Sequence, residues 1–333
     1  MVKNFLKEIY TSKQFSYLAK IVGMPWKGKG VILMYHRVLP EEKMKEDMNI
    51  GLAVSSSTFE KQIKTLKSKY KICDMNEFIT NLNEEKNEFA VTITFDDGYK
   101  DNLFYALPIL EKYNVPALIY ISTNFLEEKV NLWWLELMET IQNNSKISFV
   151  YKTKKFNLNL GKEKQKILAY ISLRKIFLNL RIDEQIELLE IITKTKERKN
   201  YSEICLNNKE VKILDNHKLI TIGSHGHNHL NFKILSNQEI KFEVKKSLEV
   251  LEGLLNHKIE HFCYPFGGKN QASVREYNII QELNFTSAAT GRIYPINRCD
   301  LFSLPRIYVG KNVCEKTLIN HLSGFYNLAN KFI

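Results

Sequence analysis

Residues 89–99 read FAVTITFDDGY, and this stretch guides the interpretation of the whole chain. Its first half is apolar and β-branched, a pattern that is typical of a buried strand. Asp96 and Asp97 follow where that strand ends, and Gly98 predicts a turn after them. Two adjacent carboxylates repel each other, and burying them is costly unless a cation or a hydrogen-bond donor compensates. The pair therefore indicates either a solvated turn or one side of a site that holds positive charge.

Short apolar runs alternate with helical patterns along much of the chain. Helix starts are predicted by capping boxes at Ser57 with Glu60 and at Ser236 with Glu239, and a helix is expected to kink or restart at Pro108. The other predicted strands are GVILMYHRV (30–38), VPALIYIS (115–122), LITIGSH (219–225), IEHFCYP (259–265), FTSAAT (285–290) and FSLPRIYV (302–309). Such alternation predicts an α/β fold with parallel strands, either a barrel or a doubly wound sheet. No dinucleotide-binding fingerprint follows any strand, which favours the barrel.

The alternation of strand and helix patterns stops between about residues 126 and 217, where we predict a mainly helical insertion. We expect an N-terminal amphipathic segment at 1–29, a main domain at 30–310 that contains this insertion, and a C-terminal helix at 311–333. Trp133 and Trp134 within the insertion are either core residues, the favoured interpretation, or a surface on which a sugar stacks.

Composition and charge narrow the function classes. The 333 residues carry a formal net charge of +11, and 44% are hydrophobic. The basic excess indicates an anionic membrane surface, an acidic glycan or simply a lysine-rich surface, and no motif suggests nucleic acid. Five cysteines without a CxxC pair predict reduced thiols, and no apolar run has the length of a membrane span. We therefore expect a cytoplasmic protein, whose amphipathic ends either dock onto the domain or contact the inner membrane face peripherally.

A second unusual stretch, GSHGHNHLNF (223–232), follows another predicted strand. His225 and His229 are four residues apart and would share one face if this turn is helical, whereas His227 would point elsewhere. Two imidazoles and one carboxylate from the Asp96–Asp97 pair can bind a divalent cation and leave a coordination position open for water. The sequence thus predicts a metal site, with one aspartate on the cation and the other free to act as a base.

TFDDGY, SHGHNH and YPFGG, in this order, resemble the motifs of the polysaccharide deacetylase family, the NodB-homology domain of carbohydrate esterase family four. The resemblance covers about residues 30–125 and 217–310. LMYHRV and LPRI also resemble the branch that contains poly-N-acetylglucosamine deacetylases and enzymes of surface-glycan biosynthesis. The resemblance implies a deformed (β/α) barrel of about seven strands and metal-dependent removal of acetyl groups from N-acetylated sugars.

The resemblance also implies roles for single residues. Asp96 matches the catalytic base, and Asp97, His225 and His229 match the metal ligands. The third motif places an oxyanion-binding backbone N–H at Phe266, and we expect Tyr264 to contribute at the same oxyanion or substrate position. Such mixed nitrogen and oxygen ligands suit Zn²⁺, the most expected ion, and also Co²⁺, Ni²⁺ or Fe²⁺.

Two departures from the family pattern concern the support of the base and the general acid. Cys263 stands where the family usually has the arginine that orients the base. Arg306 in LPRI either replaces that charge or pairs elsewhere. No residue clearly matches the late histidine that serves as general acid; His36 after the first strand is the better candidate, and His321 lies in a helical pattern.

We therefore predict a metal-dependent N-deacetylase that acts on a surface polysaccharide or, preferentially, on its lipid-linked precursor, since no export signal is evident. The alternatives are an O-acetyl esterase or a non-glycan amidase with the same site, or a catalytically silent glycan-binding scaffold.

Overall fold

The computed structural model describes most of the chain. The described residues are 28–45, 51–84, 88–296 and 300–324, together with Tyr17 and Ile21. Most of the predicted N-terminal amphipathic segment lies outside these ranges, as do residues 325–333 of the predicted C-terminal helix. Among the described residues, no helix combines the length and the apolar composition that crossing a membrane requires.

The described strands form one large sheet and two small ones. In chain order they are β1 (Gly30–Tyr35), β2 (Arg37–Leu39), β3 (Ala53–Ser55), β4 (Lys71–Ile72), β5 (Ala90–Phe95), β6 (Ala117–Ile121), β7 (Lys146–Tyr151), β8 (Lys154–Asn159), β9 (Ile220–Ser224), β10 (His261–Cys263), β11 (Ser287–Ala289) and β12 (Ile307–Tyr308). Seven strands of the large sheet follow the order β11-β10-β9-β6-β5-β1-β12, and β4 also pairs with β5. All these pairings are parallel. The sheet curls into a half-barrel, which confirms the predicted deformed (β/α) barrel.

The strands are buried on both faces, as a parallel sheet covered by helices requires. In β5, Val91, Ile93 and Phe95 join the core between the strands and the surrounding helices. Thr92 and Thr94 alternate with them and are fully buried on the other face. Asp96 continues that inward column, because side chains in a strand change face at every residue. The alternation therefore aims Asp96 into the barrel.

A segment near the C-terminus bridges the two edges of the half-barrel. The Leu304 amide donates to the Ala288 carbonyl beside β11, and the Thr290 amide donates to the Leu304 carbonyl. Three residues later, β12 pairs with β1 at the opposite edge. We call residues 300–308 the closing segment, and Arg306 lies within it.

Helices cover the outside of the strands and build the insertion. They are α1 (Ser56–Lys69), α2 (Met75–Asn83), α3 (Leu107–Tyr113), α4 (Trp133–Gln142), α5 (Glu163–Phe177), α6 (Ile182–Thr193), α7 (Asn208–Asp215), α8 (Asn237–Leu255), α9 (Val274–Gln281) and α10 (Glu315–Leu322). The capping box of Ser236 with Glu239 is confirmed at the start of α8. The one predicted at Ser57 is wrong, since Ser55 caps α1 by accepting from the Thr58 amide. A short π-helix ends before α3 begins at Leu107, so the predicted restart at Pro108 is confirmed.

The insertion contains a β-hairpin that was not predicted. Strands β7 and β8 pair antiparallel, and Lys152 turns between them in the left-handed region with φ 49°. The hairpin packs with α4, α5 and α6 around a hydrophobic cluster that is separate from the barrel cores. Ile147, Phe149 and Tyr151 alternate into this cluster, but the many lysines and asparagines around them hid the period-two pattern in the sequence.

Candidate active site

A cavity of about 390 Å³ opens at the carboxyl ends of the strands. This is the edge at which parallel α/β folds place their catalytic groups. The cavity is lined by Met34, His36, Leu52, Asp96, Asp97, Trp134, Tyr170, Ile171, Arg174, His225, His229, Phe266, Arg306 and Tyr308. We call Asp96, Asp97, His225, His229 and Arg306 the floor of this cavity, because all five are buried.

Asp97, His225 and His229 converge at the floor. The Asp97 Oδ1 atom lies 3.5 Å from His225 Nε2 and 3.2 Å from His229 Nε2. The Nδ1 atom of His225 lies 2.8 Å from the Cys263 carbonyl oxygen, so Nδ1 carries a proton and Nε2 is the ring nitrogen that faces Asp97 and His229. Burial opposes ionisation of Asp97, but the two imidazoles outweigh it and hold the pKa of that carboxyl well below its usual range.

The convergence depends on backbone geometry rather than on a helix. Residues 225–231 contain no helix and bend at 227–228, so the helical turn considered for the histidine spacing does not form. Asp97, His229 and Phe266 instead adopt φ values of 76°, 52° and 61°. Non-glycine residues in this left-handed region cost of order 1–3 kcal/mol each and are typical of functional sites. Gly98, with φ 88°, continues the turn after Asp97.

The three converging side chains fit a divalent cation. Their candidate ligand atoms all lie within 4.8 Å of one another. Asp97 Oδ1 and His229 Nδ1 are buried without a hydrogen-bond partner in the described part of the chain. A buried acceptor in this state is destabilising, and a cation among the three ligands relieves that cost at Asp97.

A second group, Asp96, His225 and Cys263, has similar spacing but a poorer fit. Both Asp96 carboxylate oxygens already accept hydrogen bonds from Arg306. Burial raises the pKa of the Cys263 thiol, which keeps it protonated beside the guanidinium. A cation is therefore better held by Asp97, His225 and His229.

Arg306 binds Asp96 through two hydrogen bonds. The Nη1 and Nη2 atoms each lie 2.6 Å from one carboxylate oxygen of Asp96. The same guanidinium donates to the Thr94 hydroxyl, the Thr290 carbonyl and the Cys263 sulfur. Burial alone would raise the pKa of Asp96, but the Arg306 charge outweighs it and the net pKa is lowered. Arg306 thus places a positive charge beside the Asp96 carboxylate. Its guanidinium also contacts Cys263, which stands at the position where the family usually has arginine.

The third motif places Phe266 at the cavity and Tyr264 away from it. The Phe266 ring packs edge-on against His229, with centroids 4.4 Å apart. Its amide donates no hydrogen bond within the described part of the chain, and a Cβ on Gly267 would overlap the Gly291 backbone. Tyr264 is buried in the core, its hydroxyl donates to the Phe302 carbonyl and its amide to Ala289. The expected role of Tyr264 at the substrate is therefore not supported by its position.

The remaining histidines occupy different environments. His36 lines the cavity, and its Nδ1 has no hydrogen-bond partner among the described residues. Burial lowers the pKa of His36, although Asp97 and Asp96 oppose this effect. His227 pairs with the Thr123 hydroxyl at 2.8 Å. His321 is buried in α10, outside the cavity lining, and burial lowers its pKa to about 4.

One side of the cavity comes from the insertion. We call Trp134 of α4 and Tyr170, Ile171 and Arg174 of α5 the insertion wall. Trp134 belongs to the insertion core, as favoured, and it also lines the cavity with its ring centroid 5.3 Å from that of His229, so stacking on a sugar stays a prediction. Trp133 stacks on Phe177 at 4.7 Å inside that core. The three α5 residues were not predicted from the sequence, because their only signal is their i, i+1 and i+4 spacing on a helix.

Comparisons with known proteins agree with this geometry. The family model described as polysaccharide deacetylase matches residues 83–176 and 188–287, which is more than half of the chain. YxkH of Bacillus subtilis (strain 168), whose name assigns it to the polysaccharide deacetylases, is 32% identical over 119 residues. That match covers 35% of this chain and 40% of the relative's length.

Solved structures share the fold at low sequence identity. The Streptococcus pyogenes deacetylase PplD in complex with acetate has a TM-score of 0.58 and 19% identity, over 88% of this chain and 97% of that one. IcaB from Ammonifex degensii has a TM-score of 0.58 and 16% identity, over 89% and 97% of the two chains. Together with the family match, the strand-end motifs show that the chain belongs to the polysaccharide deacetylase family.

Proposed function

We propose that this chain is a metal-dependent N-deacetylase of N-acetylated glycans. Membership of the family supports a deacetylase hydrolase. The observation that carries the finer proposal is that two adjacent carboxylates have different partners. Asp97 faces His225 and His229, whereas Asp96 is held by Arg306 and has no imidazole within ion-pair distance in the described chain.

The residues of the site match the needs of amide hydrolysis. A divalent cation held by Asp97, His225 and His229, when bound, would polarise the acetyl carbonyl and lower the pKa of a water molecule. Asp96, fixed by Arg306, takes a proton from the attacking water. The Phe266 amide, uncommitted to other described residues, donates a hydrogen bond to the oxyanion. His36 is the candidate that returns a proton to the leaving amine, and its position in the cavity lining supports this role.

The proposed substrate is an acetamido sugar in a surface polysaccharide or in its lipid-linked precursor. The cavity of about 390 Å³ is open enough for a sugar ring, and Trp134 and Phe266 supply aromatic surface beside the floor. A cytoplasmic location with peripheral membrane contact is part of this proposal, and cell fractionation tests it. Zn²⁺ is the preferred ion, with Co²⁺, Ni²⁺ and Fe²⁺ as alternatives.

An acetate-release screen tests the proposal. Purified protein is supplied with Zn²⁺, Co²⁺, Ni²⁺ or Fe²⁺ and incubated with free and lipid-linked N-acetylated oligosaccharides, with and without chelator. We expect acetate from amide substrates, its loss on chelation and its return on adding metal. Faster release from O-acetyl esters or from acetylated peptides would instead indicate an esterase or a non-glycan amidase. Tight glycan binding without any acetate release would indicate a scaffold.

A further inference from the structure

Arg174 is a cavity-lining cation that the proposed chemistry does not use. It extends from α5 of the insertion and lines the cavity that also contains Asp97, His225 and His229. Among the described residues, no carboxylate forms an ion pair with it, whereas the other cavity-lining arginine, Arg306, is bound by both oxygens of Asp96. A half-buried guanidinium without a counterion is a site for an anion.

The surroundings of Arg174 hold its guanidinium in place. Its Cζ atom lies 5.4 Å from the centroid of the Phe266 ring, within cation–π distance. That ring packs in turn against His229. Stacking on an aromatic face leaves the N–H donors at the edge of the guanidinium, other than the one that interacts with the Tyr170 hydroxyl, available for a planar or tetrahedral anion. Tyr170, four residues earlier on the same helix, is buried beside it, and the Arg174 charge opposes the burial that raises the pKa of its hydroxyl.

Through the Phe266 ring, the Arg174 guanidinium of the insertion is connected to His229 and to the position proposed for the acetyl group. Phe266 carries the amide proposed for the oxyanion, so a group bound at Arg174 lies one side chain away from the acetyl group. Phosphate and carboxylate groups both match an arginine fork, and glycans contain both, as uronic acids or as the phosphate that joins a sugar to a lipid. The +11 formal charge of the chain also favours approach of an anionic substrate.

We propose that Arg174, with Tyr170 and the Phe266 ring, forms an anion-binding subsite that selects glycans carrying a carboxylate or phosphate next to the acetylated sugar. This inference rests on the proposed function, because it names a substrate class for the same cavity. The subsite belongs to the insertion, whereas the chemistry belongs to the barrel.

Binding of matched probes tests the subsite without turnover. Three probes carry a methylsulfonamide in place of the acetamide and cannot release acetate. The first is a neutral N-acetylglucosamine-type tetramer, the second alternates that sugar with glucuronate, and the third carries a phosphodiester to a short isoprenol. Calorimetry on the full-length, metal-supplemented protein gives each Kd. We expect at least one anionic probe to bind at least tenfold more tightly than the neutral one, and the stronger anionic probe identifies the source of the charge.

Variants of α5 assign the preference to Arg174. In Arg174→Gln we expect the ratio of neutral to anionic Kd to fall by about tenfold to a hundredfold, the usual range for a hydrogen bond to a charged group. Arg174→Lys should keep part of the preference, because lysine retains the charge but not the fork. Lys175→Gln is the matched control, since it removes the same charge from an exposed neighbour outside the cavity lining and should keep the preference.

The outcomes are distinct. No preference in the unsubstituted protein, or a preference that survives in Arg174→Gln, overturns the subsite. An equal loss for neutral and anionic probes also overturns it, because Arg174 would then only support Phe266. Acetate release from the acetamide form of the neutral probe is measured in parallel. If acetate is absent while the Arg174-dependent preference persists, the proposed hydrolysis fails and the anion subsite stands.

Discussion

The floor and the insertion wall of the cavity differ in how fully their polar groups are already engaged. On the floor, Arg306 and Asp96 neutralise each other through two short hydrogen bonds inside a buried network. On the wall, Arg174 has an aromatic ring beneath it and no acidic partner among the described residues. On our proposals, the barrel fixes the groups that act on any substrate, whereas the insertion presents the groups that discriminate between substrates.

The largest expected effect comes from removing the proposed base. Asp96→Asn keeps the size of the side chain but cannot accept a proton, so acetate release should fall by about 10²- to 10⁴-fold. Metal content, measured by atomic emission after dialysis, should stay near that of the unsubstituted protein. Asp97→Asn is the contrasting variant and should lose both metal and activity. Near-normal acetate release by Asp96→Asn would show that the base is another group.

Removing Arg306, the other partner of the buried ion pair with Asp96, should affect both stability and activity. Arg306→Gln leaves the Asp96 carboxylate buried without its counterion, which typically costs about 3–5 kcal/mol of unfolding free energy. In the unsubstituted protein the pKa of Asp96 is lowered, so its stabilisation is present above the unfolded-state pKa of about 3.9 and is lost as the pH falls further. In the variant, burial raises that pKa, so the protein should lose stability as the pH rises from about 4 to 7, measured by urea unfolding.

Arg37→Gln is the matched control for this experiment. Arg37 pairs with the buried Asp101 at 2.8 Å but does not line the cavity. Its loss should cost comparable stability. Only Arg306→Gln should also move the acidic limb of the kcat/KM profile to higher pH, because only that variant changes the pKa of the base. An identical limb in both variants would contradict the role of Arg306 at Asp96.

A smaller effect is expected at the insertion wall. Ile171 lines the cavity and is 45% exposed, so Ile171→Ser should change the unfolding free energy by less than about 0.5 kcal/mol. Its loss removes an apolar contact for the sugar, and we expect KM to rise by a few-fold with kcat nearly constant. Ile186→Ser on α6 is the control, since Ile186 is similarly exposed at 38% but lies outside the cavity lining. A fall in kcat alone for Ile171→Ser would instead indicate that Ile171 acts on the chemical step, as proposed for the floor residues.

The smallest effect on catalysis is expected at Tyr264. Tyr264→Phe removes the hydroxyl that donates to the Phe302 carbonyl at 2.9 Å, which should cost about 0.5–1.5 kcal/mol of unfolding free energy, the usual net value of one hydrogen bond, because this bond is only partly buried. Both kcat and KM should remain unchanged, since neither the ring nor the hydroxyl lines the cavity. A selective change in kcat would restore the role that the sequence assigned to this residue.

The sequence predicted the floor well because period-two strands and the residues that follow them are local patterns. Asp96, Asp97, His225 and His36 each follow a buried strand, and a parallel sheet brings such positions to one edge. The sequence pattern did not predict how His225 and His229 converge, because the left-handed conformation of His229 depends on tertiary contacts. The partner of Arg306 also remained open, since Asp96 lies 210 residues away along the chain.

The sequence patterns did not predict the insertion wall. Arg174 and Tyr170 belong to a helix whose residues have no motif of their own, and only the packing of the insertion onto the barrel brings that helix to the cavity. The hairpin was missed for a compositional reason, because lysine and asparagine dominate its exposed positions. The insertion boundaries and the general acid remain predictions.

The closing segment has a consequence for how the protein is made. Asp96 is synthesised 210 residues before its counterion Arg306. Until the closing segment docks between β11 and β1, the nascent barrel holds an Asp96 carboxylate that lacks its counterion. Any truncation before residue 306 therefore yields a barrel whose Asp96 carboxylate has no guanidinium beside it.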